Sequence, residues 1–301
     1  MPASRNHSPL LTIGMPAYNG AAWIAAAIES LQAQTFRDFR LVICDNASTD
    51  ATVEICRKIA AGDARIEIRE NSRNVGVFRN YDRAFEGVTT KYFKWASCND
   101  LCAPAFLERC IEALEENQDI VLAYPRTVLF EDDPESGIPY ADDLHVADVR
   151  PSVRFLRVLG SLRLNNAFNG VIRTAALRQT HLNEVYEGSD IILLAELGFA
   201  GYIWRLPEYL FFRRVIPAAT AARKDAGSRK DFFSAEGRDV LATPRLDRFK
   251  GSLRAAAKAP IPATERVNSL LQLARRGWWS RHDLGPEFLA SIRQRFSSNA
   301  P

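Results

Sequence analysis

The sequence predicts an α/β chain, with a mostly parallel sheet flanked by helices and a helical carboxyl-terminal extension. Three observations point there. Over the first 124 residues, short apolar runs alternate with segments whose apolar residues recur at helical spacing. Asp, Asn and Ser cluster directly after several of those runs, at the sheet edge where such folds take their ligands. The charge also changes sign: residues 1–216 carry 23 Lys+Arg against 28 Asp+Glu, and residues 217–301 carry 16 against 8. The whole chain of 301 residues has a net charge of only +3, with 47% hydrophobic and 25% charged residues, which excludes disordered and fibrous classes.

The elements follow in order. Leu10-Leu11-Thr12-Ile13 reads as a strand, and Ile24, Ile28 and Leu31 mark the helix after it. Phe39 to Cys44 is a second strand, followed by a helix bearing Val53, Cys56 and Ile59; Ile66-Glu67-Ile68 is a third. A helix through Tyr81 and Phe85 ends at Gly87, a residue type that stops helices by taking positive φ. Tyr92 to Ala96 is the fourth strand, Pro104 opens a helix with Leu107, Cys110, Ile111 and Leu114 inward, and Ile120 to Tyr124 is the fifth. Strands joined by helices of this length make right-handed βαβ units. From Pro125 to Pro151 the pattern gives way to an acidic, turn-rich connection. A helix at Val153 to Leu159, a polar stretch Asn165 to Gly170, a helix from Ser189, and two strands, Tyr202 to Leu206 and Tyr209 to Val215, follow. In the basic tail, Thr264 to Arg276 is the clearest helix. Val267, Leu270, Leu271 and Ala274 share one face, which suits either an interfacial helix or packing on the body.

Five cysteines, an odd number with no C-x-x-C pair and no nearby histidine, argue against a disulfide framework and a zinc site. Met1 to His7 has no apolar run, and the longest one, Ala21 to Ile28, is far shorter than the ~20 residues of a membrane span. The expectation is a soluble cytoplasmic protein. The tail's surplus charge suits phosphates, a membrane surface or a partner. Its basic residues lack closely interleaved aromatics apart from Trp278-Trp279, and the body is acidic, so nucleic acid is not an expected partner.

Three polar segments have the residue types for chemistry. Asp45-Asn46-Ala47-Ser48-Thr49-Asp50 follows the second strand and can meet a nucleobase edge, or simply form a turn with Asp50 capping the next helix. Asn99-Asp100 follows the fourth strand. A carboxylate there can hold Mg²⁺ or Mn²⁺, which favour one or two carboxylates plus substrate phosphates; it can equally cap the helix at Pro104. Asp190, with Glu187 three residues earlier, begins an apolar helix and can serve as a general base or as a favourable first-turn charge.

Taken together with Ile13-Gly14-Met15-Pro16-Ala17-Tyr18-Asn19, Ser30 to Phe36 and Asn74-Val75-Gly76, these segments resemble glycosyltransferase family 2, inverting enzymes of the Rossmann-like GT-A fold. The resemblance covers about residues 9 to 216. It implies a glycosyltransferase domain over 1–216, with a nucleotide-sugar half at about 9–124 and an acceptor half at about 125–216, and leaves 217–301 as the basic helical extension. It implies that Pro16, Ala17 and Tyr18 line the nucleotide pocket, that Asp45 or Asn46 reaches the base, and that Arg79 and Asn80 lie near the diphosphate or ribose. Asn99-Asp100 matches the metal motif, its last carboxylate holding Mg²⁺ or Mn²⁺, and Asp190 matches the catalytic base, with Glu187 as rival.

The implied donor is a UDP-, dTDP- or GDP-sugar. The implied acceptor is a saccharide or lipid-linked hydroxyl, as in cell-surface polysaccharide or glycoconjugate synthesis; the tail lies beyond the resemblance, and its charge and apolar face suggest peripheral contact at the inner face of the membrane. Three positions depart from the family pattern. Asn46 and Asn99 stand where the family commonly has Asp, and Ile216 where many members have His. A catalytically inactive nucleotide-sugar-binding module is the alternative these departures suggest.

Overall fold

The computed structural model describes residues 8–216 and 243–297. Residues 217–242, where the expected extension begins, lie outside the described residues, as does the stretch Met1 to His7. Strand β1 (Leu11–Ala17) is buried at all seven positions, as a strand covered on both faces must be. It pairs in parallel with β2 (Phe39–Asp45) and β4 (Tyr92–Trp95), and β2 pairs in parallel with β3 (Ile66–Glu70). This quartet is the parallel sheet read from the sequence.

Beyond β4 the sheet becomes mixed. β8 (Val171–Arg173) lies antiparallel between β4 and β6 (Ile120–Phe130), β9 (Tyr202–Arg214) runs parallel to β6, and β5 (Leu101–Cys102) pairs antiparallel with β9 at the edge. β7 (Ile138–Pro139) forms a hairpin on β6. Two expectations change. The fifth strand does not stop at Tyr124 but runs through Pro125 to Phe130, and the two strands expected after Gly201 are one. Tyr124 pairs with Arg205 while Arg126 pairs with Tyr209, so three residues of β9 oppose one of β6. Pro125 and Pro207 meet at this bulge, where neither needs the N–H it lacks.

Helices α1 (Ile24–Gln32), α2 (Thr52–Ala60) and α4 (Phe106–Glu116) cover one face, setting Ile24, Ile28, Leu31 and Leu107 against Leu11, Ile13 and Met15. α3 (Val77–Phe85), α5 (Pro151–Ser161) and α7 (Ser189–Ala200) cover the other around Phe93 and Trp95, with the single turn α6 (Thr174–Leu177) beside them. Trp95 stacks on Phe168 with centroids 4.6 Å apart and meets Phe93 edge-on at 4.9 Å, giving the layer beneath the strand ends a rigid floor.

The extension adds an outer layer: α8 (Pro244–Lys258) on α7, α9 (Ala263–Trp279) on α5, then α10 (Arg281–Ser297). Glu265 ties α9 down by accepting from Ser152 N at 3.2 Å and Arg150 Nε at 2.9 Å. The apolar face expected on α9 divides. Leu270 packs against the core beside buried Ser269 and Leu273, whereas Val267, Leu271 and Ala274 are exposed.

Candidate active site

The carboxyl ends of β1, β2 and β4 open on one edge of the sheet, and three loops leave there. After β1, Tyr18 is 47% exposed at the rim, while Pro16 and Ala17 still belong to the buried strand. Asn19 takes a left-handed conformation (φ 49°) and its side chain accepts from Thr49 N at 2.9 Å. Its backbone N–H donates to Ser48 Oγ at 2.9 Å, and Ala21 N donates to Asp50 Oδ2 at 3.1 Å. Asp50 thus fastens the first two loops together as well as serving its own helix start through Thr52 N at 3.0 Å.

At the end of β2 a network of amides closes the floor. Asn46 Oδ1 accepts from Asn71 Nδ2 (3.1 Å) and Val75 N (2.9 Å), while its Nδ2 donates to Asn74 Oδ1 (2.8 Å). Only an amide can donate and accept in this way. That gives a physical reason for Asn, rather than Asp, at this position. Asp45 is buried and accepts from Ser48 Oγ at 2.5 Å and Ser48 N at 2.9 Å. On α3, Arg79 is exposed, but Asn80 points inward, donating to Cys44 O at 3.0 Å and accepting from Asn71 at 3.0 Å. Of the predicted nucleotide set, Asp45, Asn46 and Asn80 are buried beneath the strand ends, and Tyr18 and Arg79 stand open to solvent.

The loop after β4 carries the second centre. Asp100 is 8% exposed, and its Oδ1 accepts from Arg214 N at 2.9 Å; Arg214 Nε also donates to Asn99 O at 3.2 Å. Burial raises the Asp100 carboxyl above its ordinary value, and the nearby Arg213 guanidinium opposes the shift. Behind it lies a cavity of about 10 Å³, room for one water at most, lined in part by Lys94, Ser97, Asp100 and Asn169. Lys94 is fully buried on β4. Its ammonium donates to Trp95 O at 3.1 Å and to Asn169 O, and sits 4.4 Å from the Phe106 ring centroid. Burial pulls its pKa down.

The third centre is the start of α7. Gly188 caps the helix with φ 87° and ψ 14°, a left-handed turn that suits glycine. Asp190 follows, its Oδ2 accepting from Asn165 Nδ2 at 2.6 Å. Arg248 of α8 packs over Gly188, since a Cβ built there would lie 3.0 Å from its Nε. Glu187 lies in the preceding turn, half-buried.

Tyr81 on α3 lies against Trp95 and Phe168, with ring centroids 6.4 and 5.6 Å away. Its hydroxyl is pushed up chiefly by burial, then by Cys98 and Asp100, and also by Asp190, while a hydrogen bond with Ser97 opposes the rise. Asp100 and Asp190, 90 positions apart in sequence, are brought to this part of the fold by hydrogen bonds. The polar stretch between α5 and β8 joins the same place: Asn165 to Asp190, Asn166 to Arg213 at 2.7 Å, and Asn169 to Ser97 at 3.3 Å. Tyr81, Lys94, Asn165, Asn169 and Arg213 were not singled out as site residues by sequence. Lys94 had a signal, a cation inside an otherwise apolar strand. The asparagines stood out only as a polar run with no assigned role.

The donor set fits a divalent cation only in company. Among the described residues, no three His, Cys, Asp or Glu side chains gather as a metal cluster. Asp100 contributes one desolvated carboxylate, matching the habit of Mg²⁺ and Mn²⁺ of binding through one or two carboxylates plus substrate phosphates.

A family model described as glycosyl transferase family 2 matches residues 12–180. The chain is 29% identical over 112 residues to an uncharacterized glycosyltransferase of Haemophilus influenzae, covering 37% of this chain and 35% of that protein. The chain thus spans about a third of that relative's length. In structure it is similar to residues 1–349 of Staphylococcus aureus TarS in complex with UDP, with a TM-score of 0.61 at 15% identity, covering 89% of this chain and 71% of that one. It is also similar to the mannosyltransferase PcManGT of Pyrobaculum calidifontis in complex with GDP-Man and Mn²⁺, with a TM-score of 0.51 at 14% identity over 98% of this chain and 89% of that one. At these identities the structural likeness speaks for the fold.

Proposed function

The chain belongs to glycosyltransferase family 2, and from that premise we propose that it moves a sugar from a nucleoside diphosphate donor to an acceptor hydroxyl with inversion. The observation that carries this reading is the polar stretch Asn165 to Asn169, which hydrogen-bonds Asp190 at one end and, through Asn169, meets Ser97 in the cavity that Asp100 also lines. In this reading Asp100 would face the leaving diphosphate and Asp190 would take the acceptor proton. The donor half is about 9–124 and the acceptor half about 125–216.

In this reading the nucleotide lies across the ends of β1 and β2, with Tyr18 against the base and Arg79 toward the diphosphate or ribose. Asp45, Asn46 and Asn80 hold the floor on which it rests. Asp100, with Asn99 beside it, would hold Mg²⁺ or Mn²⁺ jointly with the diphosphate; when bound, the cation neutralises charge growing on the departing diphosphate. Asp190 accepts the proton of the attacking hydroxyl, held in place by Asn165. Arg213, whose charge opposes the rise of the Asp100 pKa, adds positive charge on the diphosphate side. The acceptor is a saccharide or lipid-linked hydroxyl, as in the synthesis of cell-surface polysaccharide or glycoconjugate. UDP and GDP-Man in the structural neighbours support a nucleotide-sugar donor, and the Mn²⁺ beside GDP-Man supports the cation.

A thermal-shift screen of UDP-, dTDP- and GDP-sugars with and without Mn²⁺ tests the reading, because a ligand bound to the native state raises Tm by mass action. At least one donor should raise Tm, and more so with Mn²⁺. A flat response to the whole panel contradicts it.

A further inference from the structure

Of the eleven large hydrophobic residues standing exposed among the described residues, six lie between 267 and 289; the remainder are scattered over the body. On α9, Val267, Leu271, Ala274 and Trp278 fall within about 60° of one another around the axis, at ~100° per residue. All four are exposed, Leu271 at 64% and Trp278 at 68%, on the side turned away from Ser269 and Leu273. Trp279 is 70% exposed beside them, and Phe288 and Leu289 extend the apolar surface on α10. An unpartnered stripe three turns long is more than the single exposed hydrophobics ordinary surfaces carry.

Its surroundings are cationic. Residues 243–291 hold nine Lys and Arg against four Asp and Glu. Each of the four acids is engaged within the chain. Asp247 accepts from Thr243 at 2.8 Å, Glu265 holds Ser152 and Arg150, Asp283 pairs with Arg245 at 2.9 Å, and Glu287 accepts from Leu246 N at 2.9 Å. Meanwhile Arg281 lies over the Trp278 ring at 4.9 Å and Arg275 over Trp279 at 5.8 Å. Guanidinium groups riding on exposed indoles, above aliphatic side chains, suit a surface that is apolar inside and anionic at its rim. A second copy would bring this cationic rim against itself.

We propose that α9 and the start of α10 lie on an anionic lipid surface, with Val267, Leu271, Trp278 and Trp279 entering the interface and Arg275 and Arg281 meeting lipid phosphates. No helix among the described residues is long and apolar enough to cross a membrane, so the contact is peripheral. The inference is independent of the transfer reaction.

Flotation of the full chain with vesicles of phosphatidylcholine alone, or mixed with phosphatidylglycerol, tests it. The protein should float with the anionic vesicles at low salt, stay behind with neutral ones, and be released by high salt. The double variant Trp278→Ala/Trp279→Ala, whose exposed rings leave the core untouched, should keep its melting temperature and lose at least about tenfold in vesicle affinity. Absence of flotation with anionic vesicles overturns the proposal, as does flotation undiminished in the double variant. A stable dimer in sedimentation that Leu271→Glu dissociates would also overturn it, assigning the stripe to a second copy.

Discussion

Asp190→Asn is the substitution whose effect the geometry constrains most. Asp190 accepts one hydrogen bond from Asn165 Nδ2 at 2.6 Å, and the Oδ1 of an Asn can accept the same bond. Size, helix start and the contact with Asn165 therefore survive, and the loss is confined to the ability to take a proton. A positioned general base contributes about 10²–10⁴ in rate. The variant should thus lose at least about 100-fold in kcat, roughly 2.7 kcal/mol of transition-state stabilisation. Donor KM should change little, because the proposed nucleotide floor at Asp45, Asn46 and Asn80 lies on β2, the loop after it and α3, away from the start of α7. Asn165→Ala removes a hydrogen bond to a charged group, worth ~1.5–3 kcal/mol, and should cost about tenfold in kcat by loosening the carboxylate. Steady-state release of nucleoside diphosphate with saturating acceptor reads all of these. Near-normal kcat in Asp190→Asn, with loss in Glu187→Gln, would refute the assignment and move the base to Glu187.

Calorimetric titration should show Mn²⁺ binding weakly to the protein alone and more tightly with UDP or dTDP, since Asp100 offers too few ligands by itself; tight binding without nucleotide contradicts this. Asp82, which accepts from Asn183 N at 3.1 Å, has its carboxyl raised to about 6, mainly by burial. A raised folded pKa means that stability falls as pH climbs from about 4 to about 6. Asp82→Asn should therefore raise Tm at pH 7.5 and leave it unchanged below pH 4; the opposite order would show that the carboxylate is stabilised in the fold. A Cβ on Gly14 would lie 2.8 Å from Ala84 O and 2.9 Å from Phe93 Cζ. Gly14→Ala should therefore cost about 1–3 kcal/mol by overpacking β1 against α3, read as a lower Tm, and an unchanged Tm would show that α3 can yield.

What could be read from the sequence followed from locality. β1, β2 and β4 are apolar runs broken within only by Thr12, Arg40 and Lys94, and the polar residues that end or follow them mark the carboxyl edge of the sheet, so Asp45, Asn99 and Asp100 are legible there before any pairing is known. β8 is not, because three residues inside a polar neighbourhood carry no period and owe their strand to β4 and β6 on either side. The same non-local logic hid Asn165, Asn166 and Asn169, which only the folded chain brings to Asp190, Arg213 and Ser97. The two strands read at Tyr202 to Leu206 and Tyr209 to Val215 are one strand with a bulge at Pro207, opposite Pro125. On α9 the amphipathic period leaves open whether the apolar face packs inward or meets an interface, and the fold divides it. Packing on α5 is made by Ser269, Leu270 and Leu273, small or half-buried residues, while the larger apolar side chains face outward. Asn46 looked like a weakened copy of an acidic motif, and its hydrogen bonds instead give the amide a task a carboxylate cannot perform.

The most direct measurement of the proposed transfer is the release of nucleoside diphosphate from a panel of UDP-, dTDP- and GDP-sugars, comparing the wild-type chain with Asp100→Ala, with Mn²⁺ present and with Mn²⁺ chelated. The expected result is turnover of at least one donor, abolished by chelation and by Asp100→Ala. Binding of a donor without any turnover, or turnover indifferent to both Asp100 and the cation, would contradict it.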